Sequence, residues 1–351
     1  MPLQLTFRRF DLKLIHNWTI ATSQQAGGKS ISPIVLLEVR DEDVVIGYGE
    51  AAPSLRYGEN ADTCLEFLRK IDKVRLSFDD LESSRRYIEL IAPNNYSAKG
   101  AVNIALADGA AKKAKKPLHE FLGLKFTEGK HVSSISIGID EPAEIRAKTE
   151  EVAAYPILKL KVGSPNDLAD LAALREAAPE KTLRIDANEA WTTKEEALRH
   201  IEEFAQDRHI EFIEQPMPAT NSPEDFAWLK ARSPMPIVAD ESYMNAGDAE
   251  RCAECFHGVN VKLTKTGGVM RALEALRAAR RLGLKTMIGS MVQSSIRTSA
   301  AAHLAELADW LDLDGNLLVS NDPFRGVTMQ NGILSFADAP EPFGLQVAPR
   351  E

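Results

Sequence analysis

The feature that most restricts the fold of this chain is a regular alternation that begins near residue 130. Short apolar segments of four to six residues recur there, and segments with the apolar spacing of amphipathic helices separate them, such as residues 167–178, 193–206, 268–282 and 298–309. Eight strands alternating with helices over about 190 residues predict a parallel α/β barrel. The predicted strands are Ser133–Gly138, Ile157–Val162, Leu183–Ala187, Glu211–Glu214, Ile237–Asp240, Val259–Leu263, Lys285–Gly289 and Leu311–Asp314.

The first 125 residues follow a different pattern. Three strand-like segments (Leu3–Lys13, Pro33–Arg40 and Val44–Gly49) precede three helical ones (Ala61–Lys73, Leu81–Ile91 and Ala98–Lys113). We therefore expect an α+β domain over residues 1–125, a barrel over residues 126–323, and a tail, residues 324–351, that returns to the first domain. The polar loop 17–32 is long for a compact domain, and such loops are usually functional or mobile.

Composition excludes several classes of partner. The net charge is −9, and no basic run with interleaved aromatic residues marks a nucleic-acid surface. No apolar stretch approaches the roughly 18 residues that span a bilayer, and the start of the chain lacks the pattern of a secretion signal. We therefore expect a cytoplasmic protein without a membrane partner. Cys252 and Cys255 have the CxxC spacing, but no second pair accompanies them as a zinc site would require.

Lys159 and Lys161 are two residues apart in the second barrel strand, so their side chains share one face. Two ammonium groups held close together disfavour protonation of one of them, and a lysine with a lowered pKa can act as a base. The alternative is a half-exposed strand with a solvated lysine face.

The next strands place charged residues at their carboxyl ends, where the active sites of barrels lie. From Lys159 the steps to Asp186, Glu214, Asp240 and Lys262 are 27, 28, 26 and 22 residues, which is about one strand, one helix and their loops. Three neighbouring strands therefore place three carboxylates at the same level along the barrel axis.

Three converging carboxylates cannot all stay ionised without compensation. A hard divalent cation with oxygen ligands provides it, and Mg²⁺ suits a site that keeps positions open for water or substrate. No histidine or cysteine joins the set, which argues against zinc. For each carboxylate alone, a helix cap or a salt bridge is the alternative.

Five motifs together resemble the enolase superfamily, in its muconate-lactonising branch, over essentially the whole chain. They are Lys159-Leu160-Lys161, Asp186-Ala187-Asn188, Glu214-Gln215-Pro216, Asp240-Glu241-Ser242 and Lys262-Leu263-Thr264-Lys265-Thr266-Gly267-Gly268. The resemblance implies a (β/α)7β modified TIM barrel with an N-terminal α+β capping domain.

The resemblance also implies roles for these residues. Asp186, Glu214 and Asp240 would bind one Mg²⁺ per subunit. Lys161 would be the base on one face of the substrate and Lys262 the acid or base on the other, so that a proton moves through a metal-stabilised enediolate. Lys159 would help to lower the pKa of Lys161.

Lys262 can be compared with the residue of another branch at this position and with a second lysine nearby. Lys262 stands where the mandelate-racemase branch has histidine, which argues against that branch. Lys265, three residues further on, competes with Lys262 for the role, but Lys262 fits the strand end better.

Asp312 and Asp314 end the eighth strand and resemble the Asp-x-Asp motif of the dipeptide epimerases, where it holds the N-terminal ammonium of the dipeptide. Without such a cation, two carboxylates at the mouth are costly. The alternative is a pair of turn aspartates ahead of Gly315. The resemblance thus implies an isomerase that epimerises dipeptides.

The side-chain preference rests on fewer residues. Met291 and Gln293 follow the seventh strand and are expected to contact substrate; many relatives carry glutamate at the position of Gln293. The loop 19–32 is expected to cover the far end of the substrate, and it offers Lys29 but no acidic residue. A hydrophobic or mixed dipeptide is favoured, and Lys29 leaves an acidic one open.

The sequence does not exclude other reactions. The same branch includes cycloisomerases and o-succinylbenzoate synthases, whose substrates lack the ammonium. A Schiff-base aldolase would use Lys161 or Lys262 as nucleophile, and a scaffold with a residual metal site would have no activity. Members of the family often form closed homo-oligomers, although no stretch of this sequence marks an interface.

Overall fold

The computed structural model describes residues 2–22, 28–42 and 45–351. An antiparallel sheet of three strands opens the chain: β1 (Gln4–Trp18), β2 (Lys29–Arg40) and β3 (Ile46–Ala51). The prediction of a loop over residues 17–32 is wrong at both ends, because β1 and β2 continue pairing past an irregularity until Trp18 lies opposite Lys29. The connection is therefore residues 19–28, of which residues 23–27 lie outside the described part.

Eight short parallel strands form the second sheet, and each pairs with the next one along the chain. A parallel bridge between Ser133 and Leu311 brings its two ends together, so the sheet is a nearly closed barrel. All eight predicted strands are confirmed, with boundaries within two residues. They are β4 (Ile135–Ile137), β5 (Ile157–Lys161), β6 (Thr182–Asp186), β7 (Ile210–Glu214), β8 (Ile237–Ala239), β9 (Gly258–Val261), β10 (Lys285–Gly289) and β11 (Trp310–Asp312).

Helices cover both sheets, and polar caps fix several of their starts. Asn60, Asp80 and Thr193 each accept a hydrogen bond from a backbone N–H of the first turn. In the described ranges no helix is both long and apolar enough to cross a bilayer. The helices are α1 (Ala61–Arg69), α2 (Leu81–Ile91), α3 (Tyr96–Lys113), α4 (Leu118–Phe121), α5 (Pro142–Glu151), α6 (Asp167–Ala177), α7 (Lys194–Phe204), α8 (Pro223–Lys230), α9 (Ala249–Cys255), α10 (Leu263–Thr266), α11 (Val269–Arg281) and α12 (Ser295–Ala302).

The last helix differs from its prediction. We expected residues 298–309, but α12 starts earlier because the Ser294 side chain caps it by accepting from the Ile296 N–H. It ends at Ala302, and a 3₁₀ turn over Ala305–Leu307 precedes β11.

Two glycines of β3 let α3 pack directly on the N-terminal sheet. A Cβ at Gly47 would lie 2.0 Å from the Ala105 carbonyl oxygen, and one at Gly49 would lie 2.1 Å from that of Ala101. These glycines therefore serve helix packing on the sheet.

The tail after the barrel contacts the N-terminal sheet and α3. Its strands are β12 (Phe324–Arg325), β13 (Thr328–Gln330), β14 (Ile333–Ser335) and β15 (Ala348–Pro349). The Leu345 N–H donates to Asp108 of α3 over 2.7 Å, and the Phe324 ring packs edge-on against Tyr48. The tail thus packs against the N-terminal elements.

Candidate active site

Three carboxylates at the ends of adjacent barrel strands form one group, the acidic triad of Asp186, Glu214 and Asp240. Asp186 and Glu214 end β6 and β7 and lie opposite each other in register, and Asp240 directly follows β8. One carboxylate oxygen of each lies within 4.8 Å of the other two, and all three side chains are buried. Parallel strands end at one edge of the barrel, and this is why the group forms.

The triad fits a hard divalent cation. The Oε2 atom of Glu214 is buried and receives no hydrogen bond of normal geometry, although Nζ of Lys159 lies 2.7 Å away. Burial, and then the charge of Asp186, raise the pKa of Glu214 to about 7. A cation with oxygen ligands, such as Mg²⁺, would use the unsatisfied oxygen and offset the repulsion.

Two side chains that the sequence interpretation passed over hold the triad in place. Asn260 Nδ2 donates to Glu214 Oε1 over 2.7 Å, and Gln215 Oε1 accepts from the Asp240 N–H over 2.9 Å. A signal for Asn260 was available, because it stands two residues before Lys262 and therefore shares its face of the predicted strand Val259–Leu263.

Lys161 and Lys262 approach the triad from opposite sides. They come from the ends of β5 and β9, and the three strands between these place them half-way round an eight-stranded barrel. Nζ of Lys161 lies 2.6 Å from Asp186 Oδ2, and Nζ of Lys262 lies 2.6 Å from Asp240 Oδ2. The arrangement can present one amine to each face of a small substrate.

Lys159 is enclosed by carboxylates. Its Nζ lies 2.7 Å from Asp312, 2.7 Å from Glu214 and 3.0 Å from Asp186, and the side chain is fully buried. Burial alone lowers the pKa of Lys159, but these three carboxylates outweigh it and raise the pKa well above its ordinary value. The alternative of a solvated lysine face is wrong, because Lys161 is buried as well.

Lys265 has less freedom than its competitor Lys262. Its Nζ donates to Asp240 Oδ1 over 2.5 Å, to the Asn260 carbonyl oxygen over 2.9 Å and to the Asp240 carbonyl oxygen. The ammonium group of Lys262 contacts one oxygen of Asp240. Three acceptors therefore hold the Lys265 amine, whereas one carboxylate oxygen holds the Lys262 amine.

Asp312 and Asp314 are both buried, but their surroundings differ. Asp312 accepts from Lys159 over 2.7 Å and from Ser134 Oγ over 2.8 Å. The expectation that both carboxylates lack a cation in the protein is therefore wrong for Asp312. Asp314 accepts from the Ser136 N–H over 2.7 Å, and burial, followed by the charge of Asp312, raises its pKa to about 6.

The residues expected to set side-chain preference are not all at the triad. Gln293 is buried, and its amide donates to Thr298 Oγ1 over 3.2 Å. Met291 is half-buried against the core. Lys29 lies in β2, where its amine donates to Ser32 Oγ over 3.3 Å.

The N-terminal elements reach the mouth of the barrel at two places. The Ile139 N–H, after β4, donates to the Thr19 carbonyl oxygen over 3.0 Å. Arg56 forms two hydrogen bonds with the Glu189 carboxylate, over 2.5 and 2.6 Å, in the loop after β6. Sequence reasoning missed Arg56, because nothing local connects it with a residue 133 positions away.

Comparisons with known proteins agree with this geometry. The family model described as "Enolase C-terminal domain-like" matches residues 144–321. The L-Ala-D/L-amino acid epimerase of Pedosphaera parvula is 56% identical over 345 residues, which are 98% of this chain and 99% of the relative. The L-Ala-D/L-Glu epimerase of Bacteroides thetaiotaomicron is 36% identical, over 96% of this chain and 86% of the relative.

A solved structure shares the whole architecture. The dipeptide epimerase of Enterococcus faecalis, complexed with Mg and the dipeptide L-Leu-L-Tyr, has a TM-score of 0.88 and 30% identity. The match covers 99% of this chain and 100% of the solved one. The chain therefore belongs to the enolase superfamily, and within it to the group that contains the dipeptide epimerases.

Proposed function

We propose that this protein is a magnesium-dependent dipeptide epimerase, an isomerase that inverts one α-carbon of a dipeptide. The observation that carries the proposal is the approach of Lys161 and Lys262 to the acidic triad from opposite sides. The names of the relatives support the reaction class, and the magnesium in the Enterococcus faecalis structure supports the cofactor.

The two lysines would move one proton each. Lys161, as the neutral amine, would take the α-proton from one face of the carbon, and the C–H electron pair would remain on the substrate. The Lys262 ammonium would return a proton to the other face, which restores the C–H bond with inverted configuration. Each turnover leaves the pair ready for the reverse reaction.

Asp186, Glu214 and Asp240 would hold the cation. When bound, it would stabilise the negative charge that develops next to the α-carbon as the proton leaves. Asn260 and Gln215 would keep two of the three carboxylates in position through their hydrogen bonds.

Asp314 would bind the α-ammonium group of the dipeptide. It is buried at the barrel mouth, and none of its hydrogen bonds comes from a lysine or arginine in the described part of the chain. Asp312, already paired with Lys159, would add to the negative potential there. An ammonium group would therefore compensate the carboxylate that the protein leaves unpaired.

The proposed substrates are L-Ala-containing dipeptides with a hydrophobic or mixed second residue. The L-Ala-D/L-amino acid epimerase at 56% identity supports the alanine. Gln293 carries no charge and its amide donates to Thr298, so it offers no cation to an acidic side chain.

Exchange of the substrate α-proton with solvent tests the function. Wild-type protein with Mg²⁺ in D₂O should replace the α-proton of active dipeptides with deuterium, followed by NMR over a dipeptide library. Lys161→Ala should abolish epimerisation, and exchange of the epimer whose α-proton faces Lys161, and still bind Mg²⁺ in calorimetry. Absence of exchange with every dipeptide would refute the proposal, as would epimerisation that persists in Lys161→Ala.

A further inference from the structure

Gln215 has a backbone conformation that glutamine rarely adopts. Its φ is +36°, in the left-handed region, and it directly follows the triad residue Glu214. Such a conformation costs about 1–3 kcal/mol for a residue with a side chain and persists only where the surroundings stabilise it. The contacts of Gln215 show what stabilises it.

The amide of Gln215 uses all of its hydrogen-bonding capacity. Its Oε1 accepts from the N–H groups of Asp240 over 2.9 Å and Ser242 over 3.1 Å. Its Nε2 donates to the Met217 carbonyl oxygen over 2.8 Å and to Ser242 Oγ over 2.9 Å. The side chain is fully buried, so these bonds are formed away from water and hold it in one orientation.

The backbone of Gln215 extends the same set of bonds to both neighbouring strands. Its N–H donates to the Val238 carbonyl oxygen in β8 over 2.8 Å, and its carbonyl oxygen accepts from the Glu189 N–H, just after β6, over 2.9 Å. This residue therefore joins the ends of β6, β7 and β8. Those are the three strands that carry the acidic triad.

We propose that Gln215 is a positioning residue that fixes the spacing of the triad oxygens and so sets the preference of the site for Mg²⁺ over Ca²⁺. This inference rests on the metal site of the proposed function. Mg²⁺ requires near-ideal octahedral geometry at 2.0–2.1 Å, whereas Ca²⁺ accepts variable geometry at 2.3–2.6 Å. A site whose ligands are held at fixed spacing discriminates against the larger ion, and a loosened site does not.

A purely structural role for Gln215 predicts a different result. If the hydrogen bonds of Gln215 only stabilised the loops, their loss would lower the melting temperature and weaken the binding of both cations by the same factor. The ratio of the two dissociation constants therefore separates the two roles, and it does not depend on turnover.

The test compares one substitution at two glutamines. Asparagine tolerates the left-handed conformation, but its amide is one methylene shorter, so Gln215→Asn keeps the backbone and loses the contacts. Gln346, in the tail, is the matched control: it is buried, has φ of +58° and donates to the Glu341 carbonyl oxygen. Gln346→Asn imposes a similar change far from the triad.

Titration calorimetry with Mg²⁺ and with Ca²⁺ gives the readout. In Gln215→Asn the Mg²⁺ affinity should fall about 10- to 100-fold, the usual effect of losing a group that orients metal ligands, and the Ca²⁺ affinity should fall by a smaller factor. Gln346→Asn should keep the wild-type ratio. Equal losses for both ions in Gln215→Asn, or no loss, would overturn the inference.

Two further results keep the test decisive. If Gln215→Asn does not fold, Ser242→Ala removes one acceptor of the same amide without backbone strain and should change the ratio in the same direction. Failure of the wild-type protein to bind either cation would refute the proposed metal site itself, whereas normal binding with an unchanged ratio in the variants refutes only the role of Gln215.

Discussion

Asp314→Asn should stabilise the protein and at the same time weaken its binding of dipeptides. Asp314 is 3% exposed, and it accepts a hydrogen bond from the Ser136 N–H that an asparagine oxygen can also accept. Ser290 Oγ, 3.4 Å away, is available to the new amide group. The substitution therefore removes a buried charge with little change in shape.

The size of the stabilisation follows from the pKa of Asp314. Burial, with the neighbouring charge of Asp312, raises this pKa from the ordinary 3.8 to about 6. Because a shift of one pKa unit corresponds to about 1.36 kcal/mol, ionised Asp314 destabilises the folded state by about 3 kcal/mol at neutral pH. We expect Asp314→Asn to recover about 2–3 kcal/mol of unfolding free energy at pH 7.5.

The same shift fixes the pH dependence. Between pH 3.8 and about 6 the folded protein binds a proton at Asp314 more tightly than the unfolded chain does, so wild-type stability falls as pH rises through this window. The advantage of Asp314→Asn should be absent below this window and complete above pH 7. Urea unfolding followed by circular dichroism at pH 4, 6 and 7.5 measures the difference.

Binding should change in the opposite direction. A hydrogen bond to a charged group contributes about 1.5–3 kcal/mol, so the loss of this carboxylate should weaken dipeptide binding about 10- to 100-fold. An N-acetylated dipeptide, which lacks the ammonium, should bind both proteins alike. Asp314→Asn that is less stable than wild type at pH 7.5, or that binds dipeptides normally, would refute this reasoning.

A matched control should show the opposite sign of stability change. Asp309 accepts from Lys285 over 2.8 Å and from the Thr286 N–H over 2.9 Å, and its pKa is held below the ordinary value despite partial burial. Asp309→Asn should therefore lose stability at neutral pH, in the same urea assay.

Three further changes test other parts of the structure. Arg56→Met breaks the two hydrogen bonds to Glu189 that join the N-terminal elements to the barrel, and we expect KM to rise several-fold while Mg²⁺ affinity in calorimetry stays normal. Glu50 is buried and its pKa is raised to about 7, so its ionisation should lower stability as pH rises from about 4.5 to 7; Glu50→Gln should remove this contribution and lose less stability than wild type between pH 5 and 8 in urea unfolding. Gly49→Ala places a Cβ 2.1 Å from the Ala101 carbonyl oxygen, and overpacking of this kind should cost about 1–3 kcal/mol, measured as a lower melting temperature.

The amino-acid sequence by itself determined the barrel and the position of its charged residues. Parallel strands buried on both faces must be apolar, so Asp186, Glu214 and Asp240 stand out at the strand ends without any tertiary information. Each of three successive strands carries one of these carboxylates at its carboxyl end. The three side chains therefore lie close together, because parallel barrel strands all end at the same edge.

Only the tertiary structure decided the partners of each charge. Lys159 is two residues from Lys161 in sequence, yet its amine lies among Asp186, Glu214 and Asp312, and Asp312 is more than 150 residues away. The hydrogen bonds from the Asp240 N–H to Gln215 and from Arg56 to Glu189 also join distant segments. Strand periodicity fixes which face a side chain points to, but the partner it meets depends on how the closed barrel and the N-terminal sheet pack together.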